Sequence, residues 1–170
     1  DWVKLARAAG VLAETNIYFD DTSNISVTGM KAKLRRVKNL GLVIIDYLQL
    51  MQSDRKTENR VQEVSDISRG LKLMAKEFEV PVITCAQLSR SSEKENKRPV
   101  LSDLRDSGAI EQDADTVMFL TRDYYKGDPE KENIADCIIA KNRHGATGTA
   151  TLGWYGQFTK FITIDKEHES

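Results

Sequence analysis

Gly41-Leu42-Val43-Ile44-Ile45-Asp46 is a continuous apolar run, rich in β-branched residues and bounded by a glycine and a carboxylate. It has the pattern of a parallel strand buried on both faces, since alternation vanishes when helices cover both sides of a sheet. Downstream, Val64, Ile67, Leu71, Met74 and Phe78 step by three and four, which marks a helix with one buried stripe. Pro81-Val82-Ile83-Thr84-Cys85-Ala86 then restores a buried strand. Strand, polar loop, helix and strand form the grammar of a βαβ unit and place the chain in the α/β class.

Upstream of this unit, Trp2, Leu5, Ala6, Ala9 and Leu12 recur at helical spacing, and Asn16-Ile17-Tyr18-Phe19 reads as a short strand. Ser26 is placed to cap a helix whose stripe is Val27, Met30, Leu34 and Val37, with a solvated basic face at Lys31, Lys33, Arg35, Arg36 and Lys38. Beyond the unit, Ala109 to Asp115 is a short helix and Thr116 to Leu120 another buried strand. Ala135 to Lys141, Gly148 to Trp154 and Thr159 to Ile164 read as hairpin strands closing a sheet edge, with Trp154, Tyr155, Phe158 and Phe161 as their core. No repeat or Pro/Ser-rich linker divides the chain, so residues 1–170 are expected to hold no internal domain boundary.

The balance of 25 Lys+Arg against 26 Asp+Glu, a net charge of −1, excludes a globally basic nucleic-acid binder. With 40% hydrophobic and 30% charged residues, the composition is that of a globular chain and not of a disordered or low-complexity one. The longest apolar run, Leu40 to Ile45, falls far short of the roughly 20 residues a membrane helix needs. Cys85 and Cys137 lack the paired spacing of zinc or redox motifs and read as reduced core residues. No basic-then-apolar leader opens the chain, so the cytosol is the expected compartment; Asp1 in place of Met reads as a piece cut from a longer protein.

In open parallel sheets ligands bind beyond the carboxyl ends of the strands. Asp46 stands there, where a carboxylate can hold Mg²⁺ through water while the ion bridges nucleotide phosphates; Gln87, ending the neighbouring strand, can sense a γ-phosphate or orient a water. Each pattern also suits a solvated strand end. Period two sends Lys141 and Arg143 to one side of their strand and Asn142 to the other, so two cations converge, as a γ-phosphate from a neighbouring subunit requires or as any exposed basic strand end allows. Ser107 or Gly108, after Arg105 and Asp106, can cap the short helix and leave N–H groups free for a phosphate backbone, although an ordinary capped turn has the same pattern. Tyr124 and Tyr125 suit base stacking or plain loop exposure.

Four stretches together resemble the DnaB-family bacterial replicative DNA helicases: Gly41 to Leu50, Gln87-Leu88-Ser89-Arg90, Leu101 to Asp115, and Lys141-Asn142-Arg143-His144-Gly145. The resemblance runs through nearly the whole chain in order. It implies a RecA-like P-loop NTPase core with a mainly parallel sheet and C-terminal antiparallel hairpins, working as a homo-hexameric ring that hydrolyses ATP with Mg²⁺ while translocating 5′ to 3′ on single-stranded DNA. It puts Asp46 at the Walker B metal site, Gln87 at the polar sensor, Lys141 and Arg143 as cations acting in trans, and Arg105, Asp106, Ser107 and Gly108 in the loop following the DNA phosphates. Primase and a helicase loader are the implied partners. Asp106 stands where the family commonly has Glu.

A larger departure is that no Gly-x-x-x-x-Gly-Lys-Ser/Thr occurs in the 170 residues. In this family the phosphate-cradling loop precedes the segment matching Asp1, so the chain reads as the C-terminal part of a helicase ATPase domain that hydrolyses ATP negligibly alone. Two alternatives stand beside this reading. One is another RecA-like ATPase, against which Leu101 to Asp115 argues; the other is a non-hydrolytic single-stranded DNA-binding or assembly module of the same fold.

Overall fold

The computed structural model describes residues 1–55, 57, 59–88, 98–123 and 127–164, with the side chains of 105–107 outside that description. The central unit is a parallel pair, β1 (Val43–Ile45) and β2 (Val82–Thr84), joined through helix α3 (Arg60–Phe78) and registered Val43 to Val82 and Ile45 to Thr84. Asn59 caps α3 by accepting from the Val61 N–H at 2.9 Å. The expected stripe is in place: Val64, Ile67, Leu71 and Met74 are buried and meet Val43, Ile45, Leu48 and Met51 in one core.

Burial of this pair is on one face. Val43 and Ile45 point into the core, whereas Ile44 is 65% and Ile83 47% exposed. The run of apolar residues therefore does not mean two covered faces in this chain; α3 covers one side, and no described residue covers Ile44 on the other.

Helix α2 (Val27–Leu34) begins as expected, with Ser26 Oγ accepting from Gly29 N–H at 3.2 Å, but ends at Leu34, before Val37. Three of the five cations of the expected basic face, Lys31, Lys33 and Arg35, are paired, whereas Arg36 and Lys38 are exposed. Glu77 of α3 accepts from Lys31 at 2.6 Å and Arg35 at 3.0 Å, and these bonds, Lys31 first, hold its carboxyl below the ordinary value. Lys33 pairs with Asp20 at 2.6 Å, holding that carboxyl down at about 2. Helix α1 (Trp2–Ala13) forms, yet its apolar stripe is uncovered, Trp2 being 84% exposed. Asn16 to Phe19 is not a strand, because no described strand offers it a ladder to pair with; Phe19 is 95% exposed.

A 3₁₀ segment, Leu101–Ser107, runs into helix α4 (Gly108–Asp113), shorter at its end than the sequence suggests. An antiparallel sheet follows: β3 (Thr116–Thr121), β4 (Ile134–Asn142), β5 (Gly148–Tyr155) and β6 (Lys160–Thr163), paired in chain order. β3 alternates, with Val117 and Phe119 in the core and Met118 and Leu120 outside. The hairpins are present, but their aromatics form a surface cluster and not a core. Trp154 tilts against Phe161 at 4.9 Å, Tyr155 against Phe158 at 5.2 Å, and the Arg122 guanidinium lies 4.5 Å over the Trp154 ring. Both cysteines are free, and neither is a core residue: Cys85 lies exposed past the end of β2, and Cys137 is half-buried on β4. Among the described residues no helix is long and apolar enough to cross a membrane.

Ile67, 1% exposed at the centre of the α3 stripe, sets the stability of this arrangement. Ile67→Ala is expected to cost about 2–5 kcal/mol, read as a lowered urea midpoint at unchanged slope.

Candidate functional site

Asp46 and Gln87 emerge at the same end of the parallel pair, as expected. Cys85 N–H donates to Ile45 O at 2.9 Å and Cys85 O accepts from Leu48 N–H at 2.9 Å, so the two chains stay paired on both sides of Asp46. The Asp46 carboxylate is exposed and makes no ion pair among the described residues. Gln87 is exposed, and its backbone is gripped by a residue that the sequence reading overlooked. The Gln49 side chain donates through Nε2 to Gln87 O at 3.2 Å and accepts at Oε1 from Gln87 N–H at 3.3 Å. An amide has the donor and the acceptor needed to hold both backbone groups of one residue, and Gln49 sits in the 3₁₀ turn Leu48–Leu50 directly behind Asp46. Arg60 in turn donates to Gln49 O at 2.9 Å.

Among the described residues no group of three or more His, Cys, Asp or Glu side chains is placed to hold a metal ion. A hard cation at Asp46 would have a single carboxylate there, the role open to a residue that shares Mg²⁺ with waters and phosphate oxygens.

Lys141 and Arg143 do converge, and the point of convergence is the C-terminal end of α4. Lys141 Nζ donates to Glu111 O and an Arg143 terminal nitrogen to the adjacent Gln112 O. Cations are favoured there because the last carbonyls of a helix lack partners within it. Asn142, on the opposite side, braces the following turn: Oδ1 accepts from His144 N–H at 3.2 Å and Nδ2 donates to Ala146 O at 3.3 Å. His144 is a turn residue, as expected.

Two carboxylates, one ending α4 and one just beyond it, neither singled out in the sequence, tie this corner to α3. Asp113 accepts from Ser68 Oγ at 3.0 Å and from Arg69 at 3.4 Å. Asp115 pairs with Lys72 and lies 3.8 Å from Arg143 Nε, and its carbonyl accepts the Arg143 backbone N–H at 2.9 Å. The hydrogen bond from Lys72, outweighing partial burial and helped by the charge of Arg143, holds the Asp115 carboxyl below its ordinary value.

The 3₁₀ segment leads into α4 with a kink at Leu104, whose φ of −80° and ψ of 24° are not helical. At the start of the 3₁₀ segment the carboxylate of Asp103 accepts from Val100 N–H at 2.8 Å; Gly108 is the first residue of α4 and not its cap, and the expected Ser107 cap falls on a side chain outside the described residues. Leu104 and Ile110, both buried, anchor the segment on either side of Gly108. Gly108 is exposed, with open space where a Cβ would stand, so its backbone is accessible from outside. The side chains of Arg105, Asp106 and Ser107 lie outside the described residues, as do Ser89, Arg90, Tyr124 and Tyr125.

Comparison with known proteins bears on all of these stretches. Residues 1–163 match the family model of the DnaB-like helicase C terminal domain. The chain is 52% identical to the replicative DNA helicase DnaB of Geobacillus stearothermophilus and 50% identical to the replicative DNA helicase DnaC of Bacillus subtilis (strain 168), each over 99% of its own length and 38% of the relative's. The chain thus spans well under half the length of these relatives. Among solved structures, a DnaB-like replicative helicase, solved to describe its interactions with primase, superposes with a TM-score of 0.89 at 43% identity, covering 96% of this chain and 42% of that one. A second solved structure, an ATPase domain, gives 0.90 at 43% identity, covering 96% of this chain and 60% of that one. The fold is the α/β, RecA-like fold of that ATPase domain, present in part, and the chain belongs to the DnaB-like helicase C-terminal domain family.

Proposed function

We propose that residues 1–170 form, without internal boundary, the C-terminal part of the ATPase domain of a hexameric replicative helicase that moves on single-stranded DNA in the cytoplasm. The observation carrying this reading is the division of the site. Asp46 and Gln87 sit beyond the carboxyl ends of the parallel pair, whereas Lys141 and Arg143 converge on the C-terminal end of α4, and no described hydrogen bond or ion pair joins the two groups. A chain bearing two halves of a site that do not meet suits a ring whose sites are completed between subunits.

ATP with Mg²⁺ supplies the phosphoryl chemistry when bound. Asp46 would help hold the ion, and Gln87, its backbone fixed by Gln49, would offer its side-chain amide to the nucleotide's phosphate end. Lys141 and Arg143 reach a neighbour's nucleotide and offset charge developing in transfer. Arg105, Asp106, Ser107 and Gly108 follow the DNA phosphates. Primase and a loader act on the whole assembly.

The alternative, a non-hydrolytic DNA-binding or assembly module, draws on the absence of a phosphate-cradling loop from these 170 residues. DNA-stimulated ATP hydrolysis separates the two. The 170-residue chain is expected at background, and the chain extended upstream through such a loop is expected to turn over and to accelerate with single-stranded DNA. An extended chain without stimulated turnover refutes the motor and leaves the module.

A further inference from the structure

Arg143 makes two hydrogen bonds and one longer ion-pair contact at this corner. Its backbone N–H donates to Asp115 O at 2.9 Å, its terminal nitrogen to Gln112 O, and its Nε stands 3.8 Å from Asp115 Oδ1. The other oxygen of the same carboxylate is taken by Lys72, which projects from the long core helix α3. The terminal-nitrogen bond anchors one end of the guanidinium, and the carboxylate at ion-pair distance from Nε draws the rest of the group toward this corner. From this geometry we infer that Asp115, clamped by Lys72, is a positioning residue that presents Arg143 to the nucleotide of the neighbouring subunit.

The inference rests on the reading of Arg143 as a cation acting in trans, and goes beyond it by naming what aims that cation. A purely structural role is the competing explanation, because Asp115 also ties α3 to the corner between α4 and β3. Asp113 supplies the comparison. It makes the same kind of tie, to Ser68 and Arg69 of α3, two residues earlier and without touching Arg143. Loss of a tie alone would make the two carboxylates equivalent; aiming Arg143 is open to Asp115 only.

The test uses the chain extended upstream through its phosphate-binding loop, assayed for DNA-stimulated ATP hydrolysis. Asp115→Asn keeps the size of the side chain and removes its charge. It is expected to lower kcat about 10- to 100-fold at unchanged KM for ATP, since a misplaced group that acts only in the transition state costs rate and not binding. Asp115→Glu is expected to recover most of the loss, and Asp113→Asn to keep kcat within about twofold of wild type. Should Asp115→Asn assemble poorly, equimolar mixing with Asp46→Ala subunits keeps the question answerable. About a quarter of junctions then pair an intact Asp46 with an Arg143 aimed by an intact Asp115, and turnover returns. Equal kcat for Asp115→Asn and Asp113→Asn, or no recovery on mixing, overturns the inference. Failure of the underlying reading looks different: Arg143→Ala itself would then leave hydrolysis unchanged.

Discussion

Arg143→Ala in the extended chain is expected to lower DNA-stimulated ATP hydrolysis by about 10³- to 10⁵-fold, the range over which an arginine supplied across an interface accelerates phosphoryl transfer. The loss should fall on kcat, with nucleotide affinity nearly unchanged, because the guanidinium meets charge that develops only in the transition state. Stability should change little: Arg143 is half exposed, and its ion pair with Asp115 lies at the surface. The decisive arm is a mixture. Arg143→Ala subunits retain Asp46, and Asp46→Ala subunits retain Arg143. In a ring assembled from equal amounts, about a quarter of junctions bring an intact carboxylate against an intact arginine, and turnover returns to about that fraction of wild type. Two residues that served one site within a single subunit could not rescue each other, so a mixture that stays inactive refutes action in trans.

What the sequence made legible follows the range of the forces involved. The α3 stripe and the Ser26 cap depend on residues within a few positions of each other, and both are present. The apolar runs at β1 and β2 located the strands and hence placed Asp46 and Gln87 at their ends. Those runs did not specify how many faces are covered, because that depends on which helices arrive from elsewhere, and Ile44 meets none among the described residues. Asn16 to Phe19 has strand-type residues, but a strand exists only through a partner's N–H and C=O groups. Period two correctly sent Lys141 and Arg143 the same way, since it is a local property of the backbone. Their resting partners were hidden, being carbonyls some 30 positions earlier that carry no side-chain signature. Gln49 and Asp115 were overlooked for a related reason. Each acts on a residue distant in sequence, Gln49 on Gln87 and Asp115 on Lys72 and Arg143, and a lone polar residue does not announce which chain will fold beside it.

Asp46→Ala should produce the largest separation between activity and stability. The side chain is exposed and makes no ion pair among the described residues, so its removal should leave the unfolding midpoint of the chain within experimental error. Its proposed work is confined to one oxygen-rich contact with the water shell of Mg²⁺, an ion that demands near-ideal octahedral geometry and dehydrates reluctantly. Without that carboxylate the site would hold Mg²⁺ less well and would lose the charge stabilisation the ion would supply, and hydrolysis by the extended chain should fall about 10²- to 10³-fold, as when one fixed group facing developing charge is deleted. Asp46→Asn discriminates further. The amide keeps an oxygen that can accept from a metal-bound water but lacks the negative charge, so its activity should lie between wild type and Asp46→Ala and should recover in part as Mg²⁺ is raised. If Asp46→Asn matched wild type at every Mg²⁺ concentration, the carboxylate would be only a solvated strand end, and the metal site would have to be sought elsewhere.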